Sequence, residues 1–530
     1  MNRYKKANEG IHAPEEIKEK AVRPAVKRPY ARWTGAVAAV LAIAILGGVA
    51  MQSPLFHTPH GADGPGQPVP FSGDGPAPRS GSGSETAYGS LDSCALALAA
   101  YPEMHPYPRQ DDYFDGYTGS SNARYNQDMA AWRKDMEALR TGTDYAGLMD
   151  GFLTRSTAQF LTGAGEDNRV YSPLNVYMAL SMLAETAGDN SRAQILDLLQ
   201  ADGLEALRER ACALWRDNYR DDGTVTSILG SSLWLRDDFT YSQKTLDTLA
   251  KTYYASSFSG KMGSEEYNQA LRDWINQQTN GLLADQAQGL KMDADTVLAL
   301  ASTIYFKAAW DSEFSKDRTE TDTFHAPAGD VDADFMHKSM ESSFYWGDNF
   351  TAVQLHFQEG GSMWLLLPDE ESSVDELLNS GEAMEFLLSP KYDQYDDKGN
   401  MTQEGWPHQK HLIINLSMPR FDVSSDLDLI EGLKQLGVTD VFDMDVSNFD
   451  PLEASTDDPL YISKAQHAAR VKVDEEGCEA AAYTVMMVCA GAAAPPDEEV
   501  DFTLDRPFLF AVTGETGLPL FTGVVNQPNG

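Results

Sequence analysis

Apolar positions along the chain recur with two different periods, and each period predicts a type of element. In "LMDGFLTRSTAQFL" they fall at helical spacing (Leu148, Phe152, Leu153, Phe160), which predicts an amphipathic helix. "VYMALSMLAETAGD" is apolar on nearly every side and reads as a buried helix that stops near Gly188. "TVLALASTIYFKAAW" is β-branched and aromatic at its centre and predicts a central strand. "SMWLLLPD" and "HLIINLSMPRF" predict further strands, "DLDLIEGLKQLGV" an amphipathic helix ended at Gly437, and "PFLFAVT" and "PLFTGVVNQP" two closing strands. Residues 144–527 therefore form a mixed α+β domain, large for a single core. Ahead of it, residues 91–143 form an extension in which "LDSCALALAAYP" reads as a short helix and "NQDMAAWRKDMEALR" as a second, amphipathic one. Neither carries recognisable chemistry.

The N-terminal part has a different pattern. Residues 1–32 are polar and basic, and an uncharged run, "WTGAVAAVLAIAILGGVAM", follows from Trp33 to Met51. At about 1.5 Å per residue this run spans roughly 28 Å, close to the hydrocarbon thickness of a bilayer. No Lys or Arg follows until Arg79, so the positive-inside rule places the N-terminus in the cytoplasm and the remainder outside. A cleaved signal peptide is the alternative; the long basic segment favours an uncleaved anchor over residues 33–51. Residues 52–90 are rich in Pro, Gly and Ser and read as a flexible linker. The expected location is a cell membrane, single-pass, with the C-terminal domain extracellular, or else secretion. A short cytoplasmic segment, one span and such a spacer fit a Gram-positive bacterial surface protein.

Composition removes several classes of function. The chain has 530 residues, 41 basic against 80 acidic, and a formal net charge of -39. Nucleic acid is excluded as a partner, because phosphate binding needs clustered positive charge. The four cysteines, Cys94, Cys212, Cys478 and Cys489, are too few and too scattered for a disulfide framework or a zinc site. No zinc-protease, nucleophile-elbow, P-loop or dinucleotide motif is present. "HQKH" (His408, His411) reads as a surface pair, and "DMDVSNFD" (Asp443 to Asp450) as an acidic turn, since Asn448 and Ala454 replace the glycine and glutamate a calcium loop requires. The sequence gives no case for an enzyme, a metal or a cofactor.

One stretch departs from the acidic character of the chain. "DEEGCEAAAYTVMMVCAGAAAPPDEE", Asp474 to Glu499, has no charge between Ala480 and Pro496. Read as a strand, one face holds Cys478, Ala480, Ala482, Thr484, Met486 and Val488, all small or apolar. The other holds Glu479, Ala481, Tyr483, Val485, Met487 and Cys489. The first face can enter a sheet with little penalty. A second membrane span is short here and flanked by acid, and a buried helix would show no clean stripe. With Gly477 before it and Pro495-Pro496 after it, the segment has tolerable propensity for both loop and strand and is suited to two states.

Several motifs, in order, resemble the serpin family: "VYSPLNVYMALSMLAETAGDNSRAQIL" (170–196), "STIYFKAAW" (302–310), "MPRF" (418–421), "LYISKAQHAARVKVDEEGCEAAA" (460–482), and "DRPFLFAV" followed by "LFTGVV". The resemblance covers roughly residues 144–527. It implies the serpin fold, with three β-sheets, eight or nine helices and an exposed reactive centre loop near the C-terminus. It also implies a monomeric suicide inhibitor of serine, and in some members cysteine, proteases. The protease cuts the loop, the acyl-enzyme is trapped while the loop inserts into the main sheet, and its active site is distorted. The other implied class is a non-inhibitory serpin serving as a surface binding or scaffold protein.

The resemblance carries over to individual positions. Glu475, Glu476, Gly477, Cys478, Glu479, Ala480, Ala481 and Ala482 match the hinge, with Cys478 standing where a Thr or another small residue is usual. Trp310, Arg420 and Glu475 match the region where the loop enters the sheet, and an Arg420–Glu475 ion pair is expected. Ser172, Asn175, Ser302 and His467 match the polar cluster where the central strands part, with Asn and Ser exchanged between positions 175 and 302. Counting from Gly477 puts the scissile bond at Gly491–Ala492, with Cys489, Ala490 and Ala493 as neighbours that a somewhat long loop also admits. Small residues at the bond, and no Lys or Arg in the loop, point to an elastase- or subtilisin-like protease with a shallow specificity pocket.

Overall fold

A computed structural model describes residues 91–113, 119–143, 145, 147–395, 401–455, 460–478, 496 and 498–529. The basic segment 1–32, the expected anchor 33–51, the linker 52–90, and the loop positions Glu479, Ala480, Ala481, Ala482, Cys489, Ala490, Gly491, Ala492 and Ala493 lie outside the described residues. Among the described residues no helix is long and apolar enough to cross a membrane.

The expected central strand is present as Leu298–Ala309 and lies inside an eight-stranded sheet. On one side it pairs antiparallel with Thr226–Arg236, which is joined in turn by Ala255–Gly260 and Ala95–Ala97. On the other side it pairs with Ile462–Val473, which is followed by Phe421–Asp428. A nine-stranded array divides at the long strand Gly329–Trp346. That strand pairs with Gln409–Pro419 from Phe335 to Tyr345, but meets Phe350–His356 only through Tyr345 and Trp346. The array therefore forms two further sheets, which gives the three expected; two two-stranded pairings are additional.

Helix Pro173–Thr186 is buried along its whole length, as its all-round apolar sequence dictates, and packs between the main sheet and strand Pro519–Val525. Ser172 caps it by accepting from the backbone N–H of Asn175, with Pro173 in the first turn. Eleven α-helices occur among the described residues, against eight or nine expected. One is Gly119–Leu139 of the extension, and one is the short turn Ala284–Gln288. A further pair, Val374–Ser380 and Glu382–Leu388, is a single helical stretch broken at Gly381, whose φ of 78° lies in the left-handed region.

The extension contradicts one expectation. "LDSCALALAAYP" is a turn followed by strand Ala95–Ala97, not a helix. The unpaired edge of Ala255–Gly260 offers it backbone partners, including Cys94 C=O accepting from Ser259 N–H at 2.7 Å. The remainder packs on the domain: the Tyr101 ring lies 5.2 Å from Trp215, and Trp132 donates to Asp222 at 2.9 Å.

Candidate functional site

The two central strands of the main sheet, Leu298–Ala309 and Ile462–Val473, run parallel. Their pairing extends from Leu298–Ile462 to Ser302–His467 and ends there. Beyond that point they part. At the far end of the gap the two-residue strand Gly477–Cys478 sits between them, with Gly477 opposite Ala309 and Cys478 opposite both Ala308 and Val473. Cys478, expected as the first residue to insert, is buried at 3% exposure.

A tight turn delivers these two residues. Asp474 Oδ1 accepts from the N–H groups of Glu476 (2.9 Å) and Gly477 (3.3 Å), and Asp474 N–H donates to Gly477 C=O at 3.1 Å. Close approach decides the glycine: a Cβ at position 477 would lie 2.3 Å from Ala308 O. The space beside the neighbouring strand therefore requires a glycine at this position of the expected hinge.

Trp310, Arg420 and Glu475, expected at the loop entry, come together around the turn that delivers Gly477–Cys478 to the sheet. The Trp310 indole donates to Asp474 C=O at 2.9 Å and stacks on Phe357 at 4.9 Å, while its backbone N–H bonds Glu476 C=O. Arg420 Nε reaches both Glu475 oxygens at 2.9 and 3.0 Å, and its NH2 group adds a third contact. Burial pushes the Glu475 carboxyl upward, but the bonds from Arg420, Thr319 and its own backbone outweigh this and hold it below its ordinary value. Thr319, at 2.5 Å from Glu475, and Lys316, paired with Glu476, were not found from sequence. They lie more than 150 residues from the hinge, in a segment without motif character.

The polar cluster lies where the pairing ends. His467 Nε2 accepts from the backbone N–H of Ser172 at 3.0 Å, which places the ring proton on Nδ1. Asn175 Nδ2 donates to Ser302 Oγ at 3.1 Å, so the exchanged residues still bond across positions 175 and 302. His467 is wholly buried, and burial lowers its pKa to about 4. Among the described residues, His467 Nδ1 and Asn175 Oδ1 have no partner. Two unsatisfied buried polar atoms on residues of this cluster are costly unless something else completes them. The remaining candidates behave as surface: His411 is exposed, Asp443 to Asp450 form a turn, and no cluster of acidic, His or Cys side chains among the described residues could hold a metal.

The model of the family described as Serpin (serine protease inhibitor) matches residues 150–528. Serpin-Z2B of Triticum aestivum is 28% identical over 375 residues, covering 68% of this chain and 90% of its own length. Serpin-ZXA of Oryza sativa subsp. japonica is 28% identical over 382 residues, covering 69% and 91%. The native-state crystal structure of the thermophilic serpin tengpin superposes with a TM-score of 0.63 at 24% identity, over 73% of this chain and 96% of that one, a likeness of fold. These matches correct the expected location. The Triticum relative is consumed over 90% of its length by 68% of this chain, which leaves little in it to correspond to an anchor. With no spanning helix among the described residues either, the single-pass membrane placement is withdrawn. The plant relatives likewise give the bacterial expectation no support.

Proposed function

The chain belongs to the serpin family, and from that premise we propose that it is a suicide inhibitor of serine proteases with shallow specificity pockets, acting as a monomer. The observation that carries this reading is the parted sheet with Gly477–Cys478 already seated at the open end. The seated residues fix a register, and each further residue steps down both neighbouring strands together. Ala480 would then face Phe306 and Val471, Ala482 would face Ile304 and Ala469, and Thr484 would arrive between Ser302 and His467. All six neighbours are buried, and the three incoming residues are small and uncharged. A slip of one residue would bring Glu479 to that face instead. Thr484 would also offer a hydroxyl close to the unpartnered His467 Nδ1–H and Asn175 Oδ1.

In this reading the intact fold is kinetically trapped. Cleavage at Gly491–Ala492, or a neighbouring bond among Cys489 to Ala493, frees residues 479 onward to complete the sheet while the protease is still esterified to the loop. Small residues at the bond fit elastase- or subtilisin-like clefts. Incubation with such a protease is expected to give an SDS-stable covalent complex, with the released peptide locating the bond by mass. Rapid cleavage with no stable complex would make the chain a substrate and remove the inhibitor reading.

A further inference from the structure

We propose that the surface formed by Tyr392, Tyr395 and Met401 is an exosite that contacts the target protease beside its cleft, on the side of the loop following the scissile bond; this rests on the inhibitor reading above. Tyr395 and Met401 lie opposite each other in the pairing of Gln394–Tyr395 with Met401–Gln403, and Tyr392 lies just ahead of it, its backbone against Gly405. They are 67%, 59% and 47% exposed, and they are three of the seven large apolar side chains exposed among the described residues. Single exposed apolar residues are ordinary, but a cluster of Tyr and Met on one projection is the composition of a contact surface.

The base of the hairpin is fixed. Trp406 N–H donates to Pro390 C=O at 2.8 Å, its indole donates to Trp346 C=O at 3.0 Å, and Gly405 N–H donates to Asp393 at 2.9 Å. The Lys391 ammonium is held over the Phe386 ring at 4.1 Å. The exposed side chains are thus presented by a braced support, which reduces the ordering penalty of binding.

Topology decides the partner. Strand Gln409–Pro419 pairs in parallel with Glu499–Thr503, so the two strands begin at the same end of their sheet. The chain before residue 409 is the hairpin, and the chain before residue 499 is the reactive loop. Their roots are bonded together: Lys410 pairs with Glu498 at 2.5 Å, and Ile413 N–H donates to Glu498 C=O at 3.0 Å. A protease holding residues 491–492 in its cleft is brought over this same end. The rim carries the exposed acids Glu404 and Glu499, so the complementary protease face is an apolar patch edged by Lys or Arg.

The test uses the full chain and pancreatic elastase whose catalytic serine is replaced by alanine, so that only the encounter complex forms. In the variant Tyr392→Ser/Tyr395→Ser/Met401→Ser, the dissociation constant is expected to rise roughly tenfold. The variant Tyr395→Ser/Met401→Ser, which leaves the Tyr392–Tyr345 hydrogen bond in place, should show part of that rise. With active elastase, the fraction of cleavages ending in an SDS-stable complex should stay at the wild-type value. An unchanged dissociation constant in both variants, or no encounter complex with the wild type, overturns the proposal. Failure of the inhibitor reading appears separately, as encounter without any SDS-stable product.

Discussion

His467 makes the parted sheet sensitive to pH. It is neutral in the fold, with a pKa lowered by burial from 6.5 to about 4, while in the unfolded chain it takes up a proton near 6.5. The unfolded state therefore binds more protons between those values. Stability is fully present above pH 6.5 and falls as pH drops towards 4, by up to about 3 kcal/mol. Melting temperature measured across that range should decline, and His467→Gln should flatten the decline; an equal slope in the variant would locate the sensitivity elsewhere. The Glu475 pair has a lower window. Its stabilisation is complete above the ordinary carboxyl value of 4.5 and is lost as pH falls through the lowered folded value. At this scale the Arg420–Glu475 ion pair was legible because a family motif covers both residues. Sequence reading could not find Thr319 or Lys316, whose importance comes only from being folded against the hinge. For Gly477 it named the residue but not the cause, since proximity to Ala308 O is visible only in three dimensions.

Elements were legible in proportion to how strongly they are buried. Leu298–Ala309 and Pro173–Thr186 lie where the pattern placed them, because a buried element must be apolar on every side that meets the core. Helix Asp150–Leu161 begins beyond Leu148, which its apolar spacing had included and which is 48% exposed. Ala95–Ala97 was misread because alanine-rich sequence has helical propensity, and an available sheet edge overrode it. The alternation after Gly477 is what the proposed insertion would require, since a segment that enters a sheet has to keep one face free of charge. Ala480→Arg tests this. In the register fixed by Gly477 and Cys478 the guanidinium would be buried between Phe306 and Val471, at a penalty of several kcal/mol. Most loop cleavages should then release active protease, so the stoichiometry of inhibition rises severalfold; inhibition at the wild-type stoichiometry would refute the register.

Across the whole molecule, the main sheet is joined over only part of its central seam. Strands Leu298–Ala309 and Ile462–Val473 are zipped below Ser302 and His467, parted above, and plugged at the far end by two residues. Completing the seam with residues 479–488 would add about ten residues of strand. Bonded on both sides, these residues would make about twenty hydrogen bonds; at about 1 kcal/mol net for each this amounts to roughly 20 kcal/mol, or on the order of 20 °C in melting temperature for a domain of this size. The direct measurement is the melting temperature of the purified chain before and after a single cut between Cys489 and Ala493, with both fragments still associated. The account predicts that the cut chain melts on the order of 20 °C higher. A cut chain that melts at or below the intact value would contradict insertion, and with it the inhibitory mechanism.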